Sequence, residues 1–498
     1  MSSSAKSNEA CTIYKDLRGY LTLLERAGLL KRVKAQVDLK HEIGAISARS
    51  LDRKGPGLVF ENIKGFEGMP VVANILSTTE QVAIAFGTEP NDRKICAAIE
   101  KGMANPIPPR VVESGPCQEV VHSGAEASVH AFPTPWWHEG DGGQYLGTTA
   151  GVITADPETG YINMGLYRVM IKDKNTLTVK IKGSHPIGEV ATAWQGRHGG
   201  HVHIFKNEAQ GKATPVAVAI GMDPLLTYVG AQGVPSEEFK HAEYAVAGAW
   251  RKEPVDLVRC RTSDLLVPAW AEMIIEGEVL PNERAKEGPH GESQGFYDGV
   301  DRAFVIKVKC ITHRKNPVIY GLICRPQEDY PKFLFSGVLG EKLKGVDAIK
   351  EVYVPEAIGG GLGLMAIVAA KVESPDDVAK VIQAVHNAPG ESLRKKPRWL
   401  IIVDEECDVK DWNDVMWRVA LAVMPDKDVR IGPRTDPISH EPLAAMHHNV
   451  SSSIVIDATF RSKKTIVDGR EVGFPRVNRV SKELRSKVEG RWKEYGLD

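Results

Sequence analysis

The sequence predicts an α+β protein: an N-terminal α/β lobe, a strand-rich middle and a smaller α/β domain in the last third. Three observations carry this. At 498 residues the chain exceeds one compact core, so two or three domains are expected. From Tyr145 to about residue 313, β-branched and apolar runs recur between turn residues, as in a barrel or sandwich. Beyond about residue 330 the order becomes strand, helix, strand, which marks a separate unit.

The elements follow in order. "YKDLRGYLTLLERAGLLKRV" places Leu17, Tyr20, Leu21 and Leu24 on one helical face, and Gly28 can end the helix. "GPGLVFENIKGF" and "MPVVANIL" read as short strands between glycine turns. "ANPIPPRVVESGPC" reads as an extended connector. A meander then starts at "YLGTTAGVITADPETGYINMGLYRVMIKDKNTLTVKI", broken at "DPETG" and "KDKN". Further strands are expected in "TPVAVAIG", "DLVRC", "LLVPAWAEMIIEGEVL" and "RAFVIKVKCITHR". In the last third, "GLMAIVAAKV" and "RWLIIVDEE" read as strands around the helix "SPDDVAKVIQAVHNAPG". That helix has Ser374 as N-cap, Pro375 at its first position and a stripe of Val378, Val381, Ile382 and Val385. The tail "SKELRSKVEGRWKEYG" predicts one amphipathic helix with Leu484, Val488, Trp492 and Tyr495 on one side.

Composition excludes several function classes. Charge is balanced, 63 basic against 64 acidic residues, and no basic tract carries interleaved aromatics, so nucleic acid is not expected as a partner. No apolar run approaches the ~20 residues of a membrane span. The N-terminus lacks the apolar core of a signal peptide, and seven scattered cysteines form no Cys-x-x-Cys pair. A cytoplasmic protein with reduced thiols is the expectation. There is no phosphate-binding Gly-x-x-x-x-Gly-Lys-Ser/Thr, no Gly-x-Gly-x-x-Gly between strand and helix and no Gly-x-Ser-x-Gly elbow.

Three polar constellations remain. In "KEGPHGESQGFY", Glu287 and Glu292 bracket a turn that neither helix nor straight strand accommodates. Such a turn lets the two carboxylates converge and push each other's pKa apart, which is useful for proton transfer; two solvated loop acids give the same spacing. "INMGLYRVMI" sets Asn163 and Arg168 in an apolar strand, where a guanidinium suits a carboxylate, although an edge strand facing water fits equally. "QGRHGGHVHIF" supplies His198, His201 and His203, and "HAEYAVAGAW" supplies Glu243. Amide, imidazole and carboxylate together suit Mn2+ or Mg2+ beside a phosphate, but their spacing is also that of structural residues.

These pieces occur in this order in one family. Through "SGPCQEVV", "NMGLYRVM", "VPAWAEMIIEGEVLP", "EGPHGE", "IIVDEECDVKDWNDVMW" and "SIVIDATF", the chain resembles the UbiD family of reversible decarboxylases over nearly its whole length. The resemblance implies prenylated FMN, a divalent metal (Mn2+ or Mg2+) and potassium as a further candidate. It assigns Arg168, Glu287 and Glu292 to a catalytic network. Glu292 is then the proton donor, favoured in its protonated form by apolar packing, Glu287 its charge partner, and Arg168 the group orienting the substrate carboxylate and touching the flavin. Asn163 and Glu243 match two metal ligands, and the strand through Met164, Gly165, Leu166 and Tyr167 lines the cofactor. The third ligand falls on His198 by counting back from Pro215, with His185 and His201 as alternatives, and Arg197 lies against the flavin phosphate or ring edge. Ala231, Gln232 and Val234 are the implied backbone ligands of potassium.

The implied fold is a flavin-reductase-like split β-barrel at 119–313, behind an N-terminal lobe at 1–118. A linker at 314–330, an oligomerisation domain at 331–460 and a tail helix at 461–498 follow. The implied activity is non-oxidative, reversible decarboxylation of an aromatic or heteroaromatic acid, with CO2 or bicarbonate as co-product. A cinnamate-like α,β-unsaturated acid is the alternative substrate, and a non-catalytic cofactor-holding subunit of a multi-subunit carboxylase the alternative role. A flavin prenyltransferase as cofactor supplier and a homodimer or homohexamer are the implied partners. Three positions depart from the family: His290 stands where an aromatic is common, "SQGF" after Glu292 is more polar than usual, and "WRVALAVMP" lacks an arginine near Ala422.

Overall fold

The first helix, Leu17–Arg26, forms where its apolar stripe predicts. Asp16 caps it by accepting from the Gly19 amide at 2.8 Å, and Leu17, Tyr20, Leu21 and Leu24 are buried. Each such side chain stabilises the lobe by about 1.5–3 kcal/mol through removal from water. Gly28, at φ +73°, turns the chain out of the helix. The computed structural model describes residues 14–181, 199–232, 241–326, 339–340, 342–355, 364–388, 397–433, 450–475, 477–478 and 480–496.

The N-terminal sheet runs in the order Leu30–Val33, Gly57–Phe60, Val71–Ala73 and Ile319–Tyr320. Its last strand comes from the segment expected as linker, so the chain returns to the first lobe after completing the middle one. The two lobes also share a core, in which Leu17 and Tyr20 join Ile153, Met164 and Ala217.

Among the described residues the middle sheet has nine strands. Its path is Tyr145–Gly147, Arg168–Asp173, Thr176–Lys180, Asp301–His313, Met273–Glu287, Thr214–Ile220, Gly151–Ala155 and Ile162–Leu166, with Val120–Ser123 added against Asp301–His313. Ile162–Leu166 forms one edge, while Arg168–Asp173 is next to the other, yet a single residue, Tyr167, separates them in the chain. One residue spans at most about 3.6 Å. The sheet must therefore curl until its two ends meet, and that seam carries the residues of interest.

The C-terminal sheet orders Ile349–Tyr353, Met365–Ala370, Trp399–Asp404, Ile454–Asp457 and Val429–Ile431. Ser374 caps Pro375–Asn387 as expected, and Val378, Val381 and Val385 are buried, with Ile382 at the margin. Arg418 is fully buried between Asp404 (3.0 Å) and Asp414 (3.2 Å), which anchors Trp412–Ala422 to this sheet. The tail departs from expectation. Helix Lys482–Glu489 stops at Gly490 and a short 3-10 turn, Trp492–Tyr495, replaces its second half. Leu484, Trp492 and Tyr495 remain exposed. No helix among the described residues is long and apolar enough to cross a membrane, and the six described cysteines form no disulfide with one another.

Candidate functional site

The long strand Met273–Glu287 pairs with Asp301–His313 and ends with Glu287 opposite Asp301. There the chain reverses. Gly288 sits at φ +89°, and a β-carbon on it would lie 2.7 Å from the Gly299 carbonyl oxygen, so only glycine fits. The Gly288–Pro289 peptide is cis. His290–Gly291 then pairs with Tyr297–Asp298, and the Glu292 amide donates to Phe296 O at 2.9 Å to close the tip. From behind, Asp141 accepts from the Gly291 amide (2.8 Å) and the His138 amide (2.9 Å), and the Gly142 amide donates to Pro289 O (2.7 Å). Although burial opposes it, these bonds and the His138 side chain hold the Asp141 carboxyl below its usual range.

This turn aims Glu287 and Glu292 at one guanidinium. Arg168 donates through Nε (2.9 Å) and Nη2 (2.7 Å) to the two oxygens of Glu287, a bidentate pair. Its Nη1 donates to Glu292 Oε1 and lies 3.2 Å from Asp298 Oδ2. The Tyr145 hydroxyl donates to Glu287 Oε1 at 2.8 Å. Burial, then the Glu287 charge, push the Tyr145 phenol well above its ordinary range, so it remains a donor. Glu287 is fully buried, and Glu292 keeps 21% of its side chain exposed. Glu292 is thus not packed among apolar groups as expected: it faces Arg168, with His290 Nδ1 3.4 Å away. The reason is the hairpin, which turns residue 292 back toward the strand that carries Arg168. His290 is itself buried, packed edge-on against Tyr145 with ring centroids 4.3 Å apart.

Five residues before Arg168 lies the second cluster, at the seam of the curled sheet. Asn163 pairs with Thr154 in the ladder, and its buried Oδ1 has no hydrogen-bond partner among the described residues. A β-carbon at Gly200 would lie 3.4 Å from that oxygen, so Asn163 faces the start of helix Gly200–Ala209. Tyr167 receives a hydrogen bond from the Gly200 backbone and lies over Gly165. Leu166 packs at Gly230, and Met164 is buried. Glu243, in the first turn of Ala242–Arg251, is buried. Burial pushes its carboxyl up to about 8 against hydrogen bonds from its own backbone and that of Met164.

Among the described residues no three His, Cys, Asp or Glu side chains gather to hold a metal. Asn163 nevertheless offers a buried amide oxygen, and Glu243, bonded to the backbone of the next residue Met164, a desolvated carboxyl; both are donor types that suit a hard divalent cation. Two helix starts, after Gly199 and His241, carry no hydrogen bond to their own N-cap side chain among the described residues and supply the dipole ends an anionic phosphate favours. The residues present fit a metal–phosphate group. His201, next to Gly200, is buried with neither ring nitrogen hydrogen-bonded among the described residues, and burial lowers its pKa, which favours the neutral imidazole a ligand requires. His185, Arg197, His198 and Val234 lie outside the described residues, while Ala231 and Gln232 close helix Pro224–Gln232.

Tyr145, Lys180, Asp298 and Asp141 were not legible as site residues. Lys180 sits opposite Arg168 in the ladder and reaches Asp298 at 2.7 Å. Only a tyrosine hydroxyl in a strand that is otherwise buried hinted that Tyr145 needs a partner.

A buried arginine held between two turn-borne carboxylates is an arrangement that can hold a proton and hand it over. Comparison with known proteins gives its kind. Models of the 3-octaprenyl-4-hydroxybenzoate carboxy-lyase match as N-terminal domain over residues 21–99, Rift-related domain over 110–326 and C-terminal domain over 338–458. The chain is 30% identical to the uncharacterized protein sll0936 of Synechocystis sp., over 97% of this chain and 96% of that protein. It is similar to an evolved dimeric form of the UbiD-class enzyme HmfF from Pelotomaculum thermopropionicum in complex with prFMN, with 27% identity, TM-score 0.71 and coverage of 91% and 97%. The vanillic acid decarboxylase ShVdcCD of Sedimentibacter hydroxybenzoicus, in closed form, gives 27% identity, TM-score 0.71 and coverage of 97% and 100%. The chain belongs to the UbiD family of carboxy-lyases.

Proposed function

We propose that this protein decarboxylates an aromatic or heteroaromatic carboxylic acid reversibly, with prenylated FMN held through Mn2+ and with Glu292 as proton donor. The observation that carries the reading is the convergence of Glu287 and Glu292 on Arg168 across a turn that only glycine can make. The prFMN-bound relative supports the cofactor. When bound, that cofactor accepts the electron pair left as CO2 departs.

The chain's own groups do the rest. Asn163 and Glu243, with a histidine completing the set, would hold the metal, and the strand through Met164, Gly165, Leu166 and Tyr167 the flavin face. Arg168 orients the incoming carboxylate while Glu287 fixes the guanidinium in both rotation and depth. Glu292, tied to a hairpin rather than a mobile loop, delivers its proton to the carbon that carried the carboxyl group. The intact trio favours an enzyme over a cofactor-holding subunit. The flavin-reductase-like barrel, the cytoplasmic setting, the homo-oligomer and a flavin prenyltransferase as supplier belong to the same proposal.

Protein produced together with such a prenyltransferase is expected to carry a non-FMN flavin chromophore and Mn2+, and to release CO2 from a member of an aromatic-acid panel. Glu292→Gln should retain flavin and metal but lose turnover by about a hundredfold or more, the usual contribution of a general acid. Full activity in colourless, metal-free protein, or in Glu292→Gln, would overturn the reading.

A further inference from the structure

A proton donor must carry its proton, yet Glu292 faces a guanidinium, which favours the ionised carboxylate. The resolution lies in the groups around it. Arg168 and Lys180 stand directly opposite one another on neighbouring strands, a like-charge pair that is unfavourable alone. Asp298 bridges them, with Oδ2 at 2.7 Å from Lys180 Nζ and 3.2 Å from Arg168 Nη1. Asp298 is also paired with His290 across the short hairpin, so it is fixed to the element that carries Glu292. Glu287 and Asp301 oppose each other at the foot of the hairpin, and Asp301 lies 3.4 Å from Lys180.

Among the described residues, the charged groups of this cluster are two cations, Arg168 and Lys180, and four carboxylates, Glu287, Glu292, Asp298 and Asp301. Neutral or titratable neighbours are Tyr145, which donates to Glu287, and His290, 3.4 Å from Glu292. His138 and Asp141 hold the hairpin from behind. With Glu292 ionised, four negative charges face two positive ones; with Glu292 protonated, three do. The three other carboxylates therefore work against the pull of the guanidinium on Glu292.

Resting on the decarboxylase reading, we propose that Asp298 is a positioning residue that takes over Arg168 Nη1 whenever Glu292 carries its proton. In that state each of the three nitrogens of Arg168 keeps a partner, Nε and Nη2 on Glu287 and Nη1 on Asp298, and Glu292 is released toward the substrate. When Glu292 gives its proton to the carbon, its carboxylate returns to Nη1 and Asp298 leans on Lys180. A proton from water, reached through the exposed part of Glu292, restores the acid. The balance is one proton from water consumed for each carboxylate converted to CO2 and a C–H bond.

The test is a pH titration of the holoenzyme by difference infrared spectroscopy, following the protonated-carboxyl band that Glu292→Gln removes. Asp298→Asn should move the midpoint of that band down by about one pH unit or more, because one nearby carboxylate is lost and the guanidinium turns wholly to Glu292. Lys180→Met should move it up, since a cation leaves and Asp298 is freed for Arg168. A role in folding alone moves neither. A midpoint unmoved in both variants, or moved up in Asp298→Asn, overturns the inference. Should Asp298→Asn fail to fold, the direction in Lys180→Met decides. The titration does not depend on turnover. An unmoved midpoint with an inactive Glu292→Gln sinks this inference alone, whereas an active Glu292→Gln sinks the reading beneath it.

Discussion

Arg168 commits its fork to Glu287 twice, which fits a group that cannot be let go: Glu287 has no exposure to water, and its other bond is to Tyr145. Removing one partner of such a pair leaves an uncompensated buried charge, a loss of roughly 3–5 kcal/mol. Arg168→Met is accordingly expected to lower the unfolding free energy by that amount, and Glu287→Gln added to it should recover part of the loss. A double-mutant cycle on unfolding free energy checks this, and strict additivity would contradict the coupling. Tyr145→Phe removes a hydrogen bond to a charged group and should cost about 1.5–3 kcal/mol. The trio was legible because its residue types sit in short, unusual strings. Tyr145 was not, because it lies 142 positions from Glu287 and joins it only through the curl of the sheet.

At the scale of elements, the turn at residues 287–292 decides whether the site exists. Gly288→Ala would set a β-carbon 2.7 Å from the Gly299 carbonyl at a positive φ, a strain of about 1–3 kcal/mol that the chain relieves by moving the hairpin. Because the hairpin is peripheral to the sheet ladder, circular dichroism and flavin binding should be retained while turnover falls at least tenfold. Unchanged turnover would mean that the hairpin's position is not what the chemistry requires. Helices with strong local signals were legible: Leu17–Arg26 forms under its apolar stripe and Ser374 caps Pro375–Asn387, while the Asp16 cap is seen only in the structure. The tail was misjudged because a stripe of apolar residues continues past Gly490, whereas the helix stops there.

At the scale of the molecule, the run of strands was legible and their order was not, since register between distant strands is set by side-chain packing that a single chain pattern does not encode. The return of Ile319–Tyr320 to the N-terminal sheet, inside an expected linker, is the clearest case. What the pattern did announce is a separate C-terminal unit, and the structure adds that this unit exposes apolar groups. Helix Trp412–Ala422 anchors one face through Arg418 and Val415, and on the other leaves Trp412, Met416 and Leu421 exposed. The hairpin Lys464–Val467 and Arg470–Gly473 likewise exposes Ile466, Val467 and Val472. Exposed aromatic and aliphatic groups in such number are what interface cores are made of, and a second copy of this chain is the proposed occupant. Met416→Glu with Leu421→Glu sets two charges on that face while the buried Arg418–Asp404–Asp414 anchor is untouched. Sedimentation should then show a smaller assembly at unchanged thermal stability of the C-terminal unit. An unaltered mass would place the contact between copies elsewhere, because two carboxylates cannot be buried in an apolar interface without partners.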